Sequence, residues 1–374
     1  MKIALITATY SIAGVPLAQI RSAKALAARG HDVDLLIGNV PSHLTLPEIK
    51  DVKVIRLDRP NVRSLLVPVW KYLRKFDPDI VFCAEDHLTV IVLMAALVSR
   101  SRAKISGSSR ILPTDRQAYS SKIFSKGWLL KVMMRAVMRR ADVLTCVSKD
   151  MVEHYRRVFP QSPHVCVYNI VVDSTTSTRM LEAVDHAWLV NKVGPVIVAA
   201  GTFTKRKGFA DLLDAMSMLS RHSDARLILL GEGRLRSLLE QRARDLALSD
   251  RISFPGNVEN PLKYFHRADV FVLSSYAEGL PNVLVEAMAC GCTPVATDCP
   301  TGPREVLRDG EFGYLVPVGD PVALARGIER ALDRPIPSDL LAEAVKPFEE
   351  SAVLKRHFEL LHVEEFEAAS ESMP

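Results

Sequence analysis

The chain alternates short apolar runs with helix-like stretches, and it does so twice. KIALITA, DVDLLIG, KVIRL, DPDIVFCA, AKISGSS and ADVLTCVS are separated by segments such as SAKALAARG, a stretch around 62–76 and one running to about residue 100. The pattern restarts at VIVAAGTF and continues through ARLILLGEG, ISFPG, DVFVLSS, TPVATD and GYLVPV. ADLLDAMSMLSRH, RLRSLLEQRARDLAL, LKYFHRA and NVLVEAMACG fill the gaps. Apolar runs of four to six residues joined through helices predict strands of a parallel sheet covered on both faces. The expected class is therefore α/β, with two doubly wound parallel sheets in tandem. Length agrees, because 374 residues exceed the roughly 250 to 300 at which a single core stops growing. VVDSTTSTR, poor in core residues, marks the break. It predicts domains at 1–172 and 194–345 around a linker at 173–193. The closing segment 346–374, with the helix VLKRHFELLHVEEFEAA, could join either half, and a return to the first domain is the expectation.

At 48% hydrophobic and 24% charged residues, the chain has apolar surface for two ordinary cores and no case for extensive disorder. No stretch approaches the ~18 to 20 apolar residues that cross a bilayer. HLTVIVLMAALV at 87–98 reads as a buried helix. The amino terminus fits strand, glycine turn and helix rather than a cleaved signal, so a cytoplasmic protein is expected. Cys83, Cys146, Cys166, Cys290, Cys292 and Cys299 form no CxxC pair and no His spacing suited to zinc. They are expected as buried free thiols in a reducing compartment, with no metal site. Charge is divided unevenly. Residues 1–180 carry 27 Lys/Arg against 14 Asp/Glu, and 181–374 carry 21 against 29. The first half, at +13, should face something anionic.

In open parallel sheets, ligands bind beyond the carboxyl ends of the strands, so the loops there carry the chemistry. GTFTKRKG places Lys205, Arg206 and Lys207 between Gly201 and Gly208 ahead of a helix. Cations beside a helix start suit a phosphate, although a solvated loop would carry the same residues and the order is not that of a P-loop. YAEGLPNVLVEAMACG has Glu278 in a loop and Glu286 inside a helix bounded by Pro281 and Gly291. Five helical residues advance ~7 to 8 Å. One carboxylate could then bind a ribose and the other a sugar, with a diphosphate on the amides between them; such a pair is also common as a cap or surface feature. In SIAGVPLAQ, Gly14 marks a turn where backbone can approach a ligand, and it is counted with the donor-binding positions. The GxGxxG order of a dinucleotide site is missing, and no cofactor is expected.

SSYAEGLPNVLVEAMACGCTPVATDCPTGPREVLRDGEFGYLVPVGDP resembles the signature of glycosyltransferase family 4: two glutamates with seven residues between them, a glycine-rich turn and a GYLVPVGD-like hairpin. GTFTKRKGF is similar to that family's phosphate clamp, with Gly201, Lys207 and Gly208 in register, and VSKDMVEHY and VYNIVVD look like its interdomain strand and hinge. The resemblance implies the GT-B fold, two Rossmann-like domains with parallel sheets facing across a cleft. It implies a nucleotide-sugar substrate and transfer with retention of configuration and no metal. By the same similarity Glu278 and Lys207 are catalytic. Lys207 would neutralise the donor diphosphate, Glu286 hold the ribose and Glu278 sit against the transferred sugar. The amides of Gly279, Leu280, Asn282 and Val283 are candidate contacts, and Pro281 lacks an N–H. The family's usual arginine is Thr202 here, which leaves Arg206 or Lys205 to supply a second charge. Its histidine after AKISGSS is replaced by Ser109 and Arg110, which makes Arg110 the candidate sugar contact. The chain shows no Ser/His/Asp order and no HExxH.

Between Asp115 and Asp142 lie seven basic residues, Arg116, Lys122, Lys126, Lys131, Arg135, Arg139 and Arg140, and no acidic one. Trp128, Leu129, Val132, Met133 and Val137 interleave with them. Residues 116–140 thus read as a basic amphipathic segment for an anionic membrane, or as a domain helix with a solvated face. The expected acceptor is a glycan linked to a lipid diphosphate, reached from the inner face of the plasma membrane. TGPREVL also resembles members that build bacterial surface polysaccharides from UDP-N-acetylhexosamines. A sugar-nucleotide epimerase of the same fold and a nucleotide-binding relative with a decayed site are the rival readings. Nucleic acid is excluded as a partner, because aliphatics and methionines rather than stacking aromatics accompany the basic residues.

Overall fold

The computed structural model describes residues 1–11, 14–42, 44–46, 48–110, 123–219 and 224–364. The chain divides into two compact units, Met1–Ile170 with Glu350–Pro374, and Val171–Glu349.

The first unit is built on a seven-stranded sheet: β1 (Lys2–Thr9), β2 (Asp32–Asn39), β3 (Val52–Arg56), β4 (Ile80–Ala84), β5 (Lys104–Ser109), β6 (Val143–Cys146) and β7 (His164–Cys166). The strands pair in parallel in the order β3-β2-β1-β4-β5-β6-β7. All five residues of β4 are buried, as a central strand with helices on both faces requires. The apolar run at 87–98 forms the helix Asp86–Ser99, most of it buried.

The second unit repeats the plan with β8 (Val196–Ala200), β9 (Arg226–Leu230), β10 (Ile252–Gly256), β11 (Val270–Leu273), β12 (Thr293–Thr297) and β13 (Tyr314–Val316). These are also parallel throughout, in the order β10-β9-β8-β11-β12-β13. Each sheet therefore has one place where the strand order reverses, between β1 and β4 in the first unit and between β8 and β11 in the second. Crossover helices leave to opposite faces there, and the gap between them is where such sheets take ligands.

Three sequence expectations change. The GYLVPV segment is no hairpin, because Tyr314–Val316 pairs in parallel with β12. Residues 173–193 are not a free linker but fold on the second unit. The Asn260 side-chain amide donates to Arg179 O (2.7 Å) and to Glu182 (2.8 Å), and Tyr264 donates to Asp185 (3.1 Å). The Arg179 carbonyl and the Glu182 and Asp185 carboxylates are the groups that bind it. The crossing between units lies instead at Val171 and Val172, whose amides both donate to Phe348 O (3.0 and 3.2 Å).

The helix Glu350–Leu361 joins the first unit. Val353, Leu354, Phe358 and Leu361 enter the core that holds Ile3, Leu26 and Phe82. Phe358 lies 5.7 Å from the His31 ring, and Lys104 Nζ donates to the carbonyls of Leu361 and His362. Five of the six cysteines are buried and Cys166 is half-buried, all as free thiols. Burial pushes the Cys83 thiol up to about 12. Among the described residues, no helix is long and apolar enough to cross a membrane.

Phe358→Ala should destabilise the first unit by about 3 to 5 kcal/mol through the cavity it leaves. Urea unfolding followed by fluorescence should show this as an earlier first transition.

Candidate functional site

The reversal point of the second sheet collects the residues singled out by the sequence. The loop after β8 runs from Gly201 to a 3-10 turn, Lys205–Lys207, closed by Gly208, and only then does the helix Phe209–Leu219 begin. The loop after β11 carries Ser274 to Pro281 and leads into the helix Asn282–Ala289. The two loops touch closely. Gly208 sits at φ +63°, and a Cβ there would lie 1.9 Å from Ser274 O, so only glycine fits. Ser274 Oγ donates to Lys207 O (2.9 Å), and the Tyr276 amide donates to Arg206 O (2.7 Å).

This clamp brings Lys207 Nζ to 2.7 Å from Glu278 Oε1, with side-chain exposures of only 15% and 7%. Ser275 Oγ donates to the same carboxylate oxygen at 2.6 Å. The backbone of Glu278 is held as well. Its amide donates to Pro300 O (2.8 Å), and Thr301 Oγ1 donates to the carbonyls of Glu278 (3.1 Å) and Gly279 (2.9 Å). Gly302 lets this outer loop close, since a Cβ there would meet Pro281 Cδ at 2.7 Å and Gly279 O at 2.8 Å. Ser274, Ser275, Thr301 and Gly302 were not picked out from sequence. Their signal was present in the SS before YAEG and the TG before PRE, but small polar residues are common in loops.

Not every candidate gathers here. Lys205 and Arg206 precede Lys207 in the 3-10 turn. With Leu238, Leu239, Leu246 and Tyr276 they line a groove of about 770 Å3 that neither Lys207 nor Glu278 lines. Thr202 is exposed at the end of β8, and Glu286 is half-buried on the helix Asn282–Ala289. Of the four candidate amides, that of Asn282 donates to Leu280 O at 2.9 Å. The arrangement offers a cation, a carboxylate and N–H groups at a helix start.

Gly14 and Arg110 belong to the first unit, after β1 and β5. Gly14 takes φ +66° and opens the helix Gly14–Ala28. The cavity that Arg110 lines, with Gln19, Ser22, Ser106, Ser108 and His357, is about 20 Å3, room for one water and not for a hexose. Burial pulls the Arg110 guanidinium down to about 10.

Ser109, His164 and Asp86 also meet in the first unit, although no such order is legible along the chain. Ser109 Oγ donates to Asp86 (2.5 Å) and lies 3.3 Å from His164 Nε2, while Tyr155 holds the other Asp86 oxygen at 2.5 Å. A nucleophilic serine needs the histidine between hydroxyl and carboxylate. Here the carboxylate takes the hydroxyl directly, and burial pushes His164 down to about 3. The trio is a brace.

Of the basic segment, residues 116–122 lie outside the described residues. The helix Lys126–Val137 starts at Ser125, whose hydroxyl accepts from the Trp128 amide at 3.1 Å. Phe124 (89%), Ile123, Leu129 and Val132 are exposed beside Lys126 and Arg139. Arg140 is drawn inward instead, donating to Ser101 O (2.8 Å) and Ala103 O (2.9 Å), and Arg135 stacks over Phe159 at 5.9 Å.

Two doubly wound parallel sheets in tandem, with a cation and a carboxylate brought together at the reversal point of the second, fit the GT-B class, and comparison with known proteins gives the family. The family model "Glycosyl transferases group 1" matches residues 182–347, and "Glycosyl transferase 4-like domain" matches 18–169. An N-acetylgalactosamine-N,N'-diacetylbacillosaminyl-diphospho-undecaprenol 4-alpha-N-acetylgalactosaminyltransferase of Campylobacter jejuni is 32% identical over 327 residues, 84% of this chain and 85% of that one. The lipopolysaccharide core biosynthesis glycosyltransferase LpsE of Rhizobium meliloti is 39% identical over 161 residues, 43% of this chain and 46% of its own. Among solved structures, HepE of Anabaena in complex with UDP-glucose superposes with a TM-score of 0.76 at 18% identity, covering 97% of this chain and 99% of that one. The chain belongs to glycosyltransferase family 4, with the GT-B fold, and is a glycosyltransferase.

Lys207→Met keeps the packing of the side-chain stem and strands a buried carboxylate, so it should cost about 3 to 5 kcal/mol in urea unfolding. Adding Glu278→Gln should recover more than half of that loss, a coupling that a double-mutant cycle measures directly.

Proposed function

We propose that this glycosyltransferase moves a hexose or N-acetylhexosamine, with retention of configuration, from a UDP-linked donor to a glycan on a lipid diphosphate in surface-glycan synthesis. The observation that carries the donor half is the Lys207–Glu278 pair at the reversal point of the second sheet. A diphosphate placed there meets Lys207 and the amides of Gly279, Leu280 and Val283. The positive end of the helix Asn282–Ala289 adds to that charge, so charge neutralisation does not call for a metal. Glu278, pinned by Lys207 and Ser275, then faces sugar hydroxyls, and Glu286 faces the ribose. Retention follows from a front-face path in which the leaving diphosphate takes the acceptor's proton. The protein then has only to position two substrates and stabilise negative charge.

The acceptor half rests on the +13 charge of residues 1–180 and on the exposed Phe124, Ile123, Leu129 and Val132 beside basic side chains. This is the surface chemistry of a protein that rests on anionic lipid. The lipid-linked substrate named for the Campylobacter relative is of the same kind.

A panel of UDP- and GDP-sugars incubated with the protein and a membrane lipid extract tests the reading. Nucleotide release should depend on one sugar and on the lipid. Glu278→Ala should abolish transfer with the fold retained, and Glu286→Ala should weaken donor binding by about 10- to 100-fold. Wild-type turnover by both variants would refute the site. A free epimer formed without acceptor would favour an epimerase, and nucleotide binding without turnover a decayed site. Phe124→Asp combined with Leu129→Asp should cut binding to phosphatidylglycerol vesicles by about tenfold in co-sedimentation. Unchanged binding would remove the membrane face.

A further inference from the structure

Glu85, directly after β4, stands at the reversal point of the first sheet, the counterpart of the place where Lys207 and Glu278 meet in the second. Its backbone is at φ +79° and ψ 130°, the largest positive φ of any non-glycine among the described residues. That region is almost exclusive to glycine. The conformation is imposed from both sides. The Glu85 amide donates to Ser108 O (2.8 Å) in the β4–β5 ladder, and its carbonyl accepts the Thr89 amide (2.9 Å) as the next helix begins. The neighbouring Asp86 is anchored inward by Ser109 and Tyr155.

The fold has no evident use for a glutamate at this point. Glycine would relieve the backbone, and Ser, Asp or Asn would cap the helix Asp86–Ser99, whereas the Glu85 side chain makes no capping hydrogen bond. Its carboxylate is 27% exposed and reaches His87 Nε2 at 3.3 Å, at the rim of the sheet. On its inner side, Arg110 is close enough for the charges to be felt, and the Arg110 Nε–H has no hydrogen-bond partner among the described residues. Residues held in a conformation their side chain disfavours cluster where function overrides local preference.

Resting on the glycosyltransferase reading above, we propose that Glu85 is an acceptor-binding residue whose carboxylate takes hydrogen bonds from neighbouring hydroxyls of the acceptor sugar. Arg110, which lines a cavity too small for a sugar, balances the carboxylate's charge from behind. His87, whose proton Glu85 stabilises, holds its other side. A carboxylate accepts from two vicinal hydroxyls at once, so the residue discriminates among acceptors by hydroxyl arrangement and leaves the donor untouched.

The test is Glu85→Gly and Glu85→Gln in the full chain, each read by melting temperature, UDP affinity by calorimetry, and transfer kinetics with varied acceptor. Glu85→Gly should raise the melting temperature by a few degrees and lower kcat/KM for acceptor by about 100-fold, with UDP affinity unchanged. Glu85→Gln should leave the melting temperature in place and lower kcat/KM about tenfold. A fall in both melting temperature and transfer for Glu85→Gly would make Glu85 a structural residue and overturn the proposal. Wild-type kcat/KM for acceptor in either variant would overturn it too. Failure of the wild type to bind UDP or consume any sugar nucleotide would count against the proposed function instead, and the melting-temperature comparison would still decide whether Glu85 is kept for the fold.

Discussion

The ion pair between Lys207 and Glu278 is the interaction around which the second unit is arranged. Two nearly buried charges contribute little net stability, because losing their water offsets most of their attraction. Their value is positional. Each is the end of a loop that leaves a different strand, and the pair forms only if β8 and β11 are neighbours and both loops keep their paths. Gly208 lets one loop pass against Ser274 O, Ser274 and the Tyr276 amide tie the backbones together, and Thr301 and Gly302 press the third loop onto Glu278. A polar network this fully satisfied tolerates one geometry and few others.

The two units answer the same topology in different ways. In the second, the charges of Lys207 and Glu278 at the reversal point neutralise each other. In the first, the polar groups near the corresponding point face inward. Asp86, Ser109, Tyr155 and His164 satisfy one another beneath the surface and fasten the strand ends. Glu85 is left as the group turned to the rim, in a backbone conformation that only such fastening sustains. The resemblance of the inner trio to a hydrolytic triad is one of composition, since hydroxyl, imidazole and carboxylate stand in the wrong order.

Much of this was legible along the chain. Buried parallel strands leave apolar runs, so six strands of the first sheet and all six of the second could be read, while the three-residue β7 could not; the division into halves followed from the repeat. The loops that carry Lys207 and Glu278, and the helix that carries Glu286, were legible because a glycine after a strand and a proline or glycine at a helix boundary are local events. Direction along a short turn was not. Lys205, Arg206 and Lys207 look equivalent in sequence, yet the first two line a groove that Lys207 does not. Nor was it visible that the Asn282 amide is engaged by Leu280 O.

What the sequence determined by itself was therefore the periodic part: α/β class, two parallel sheets, the loops at their strand ends and the family to which they belong. These depend on patterns within some ten residues, where propensity and hydrophobic spacing act directly. The tertiary structure alone decided which distant residues meet. It placed the helix Glu350–Leu361 on the first core, folded residues 173–193 against the second unit, enclosed Arg110, and set Lys207 on Glu278 across 71 positions of chain. Such contacts follow from strand order and close packing, which no local stretch of sequence contains.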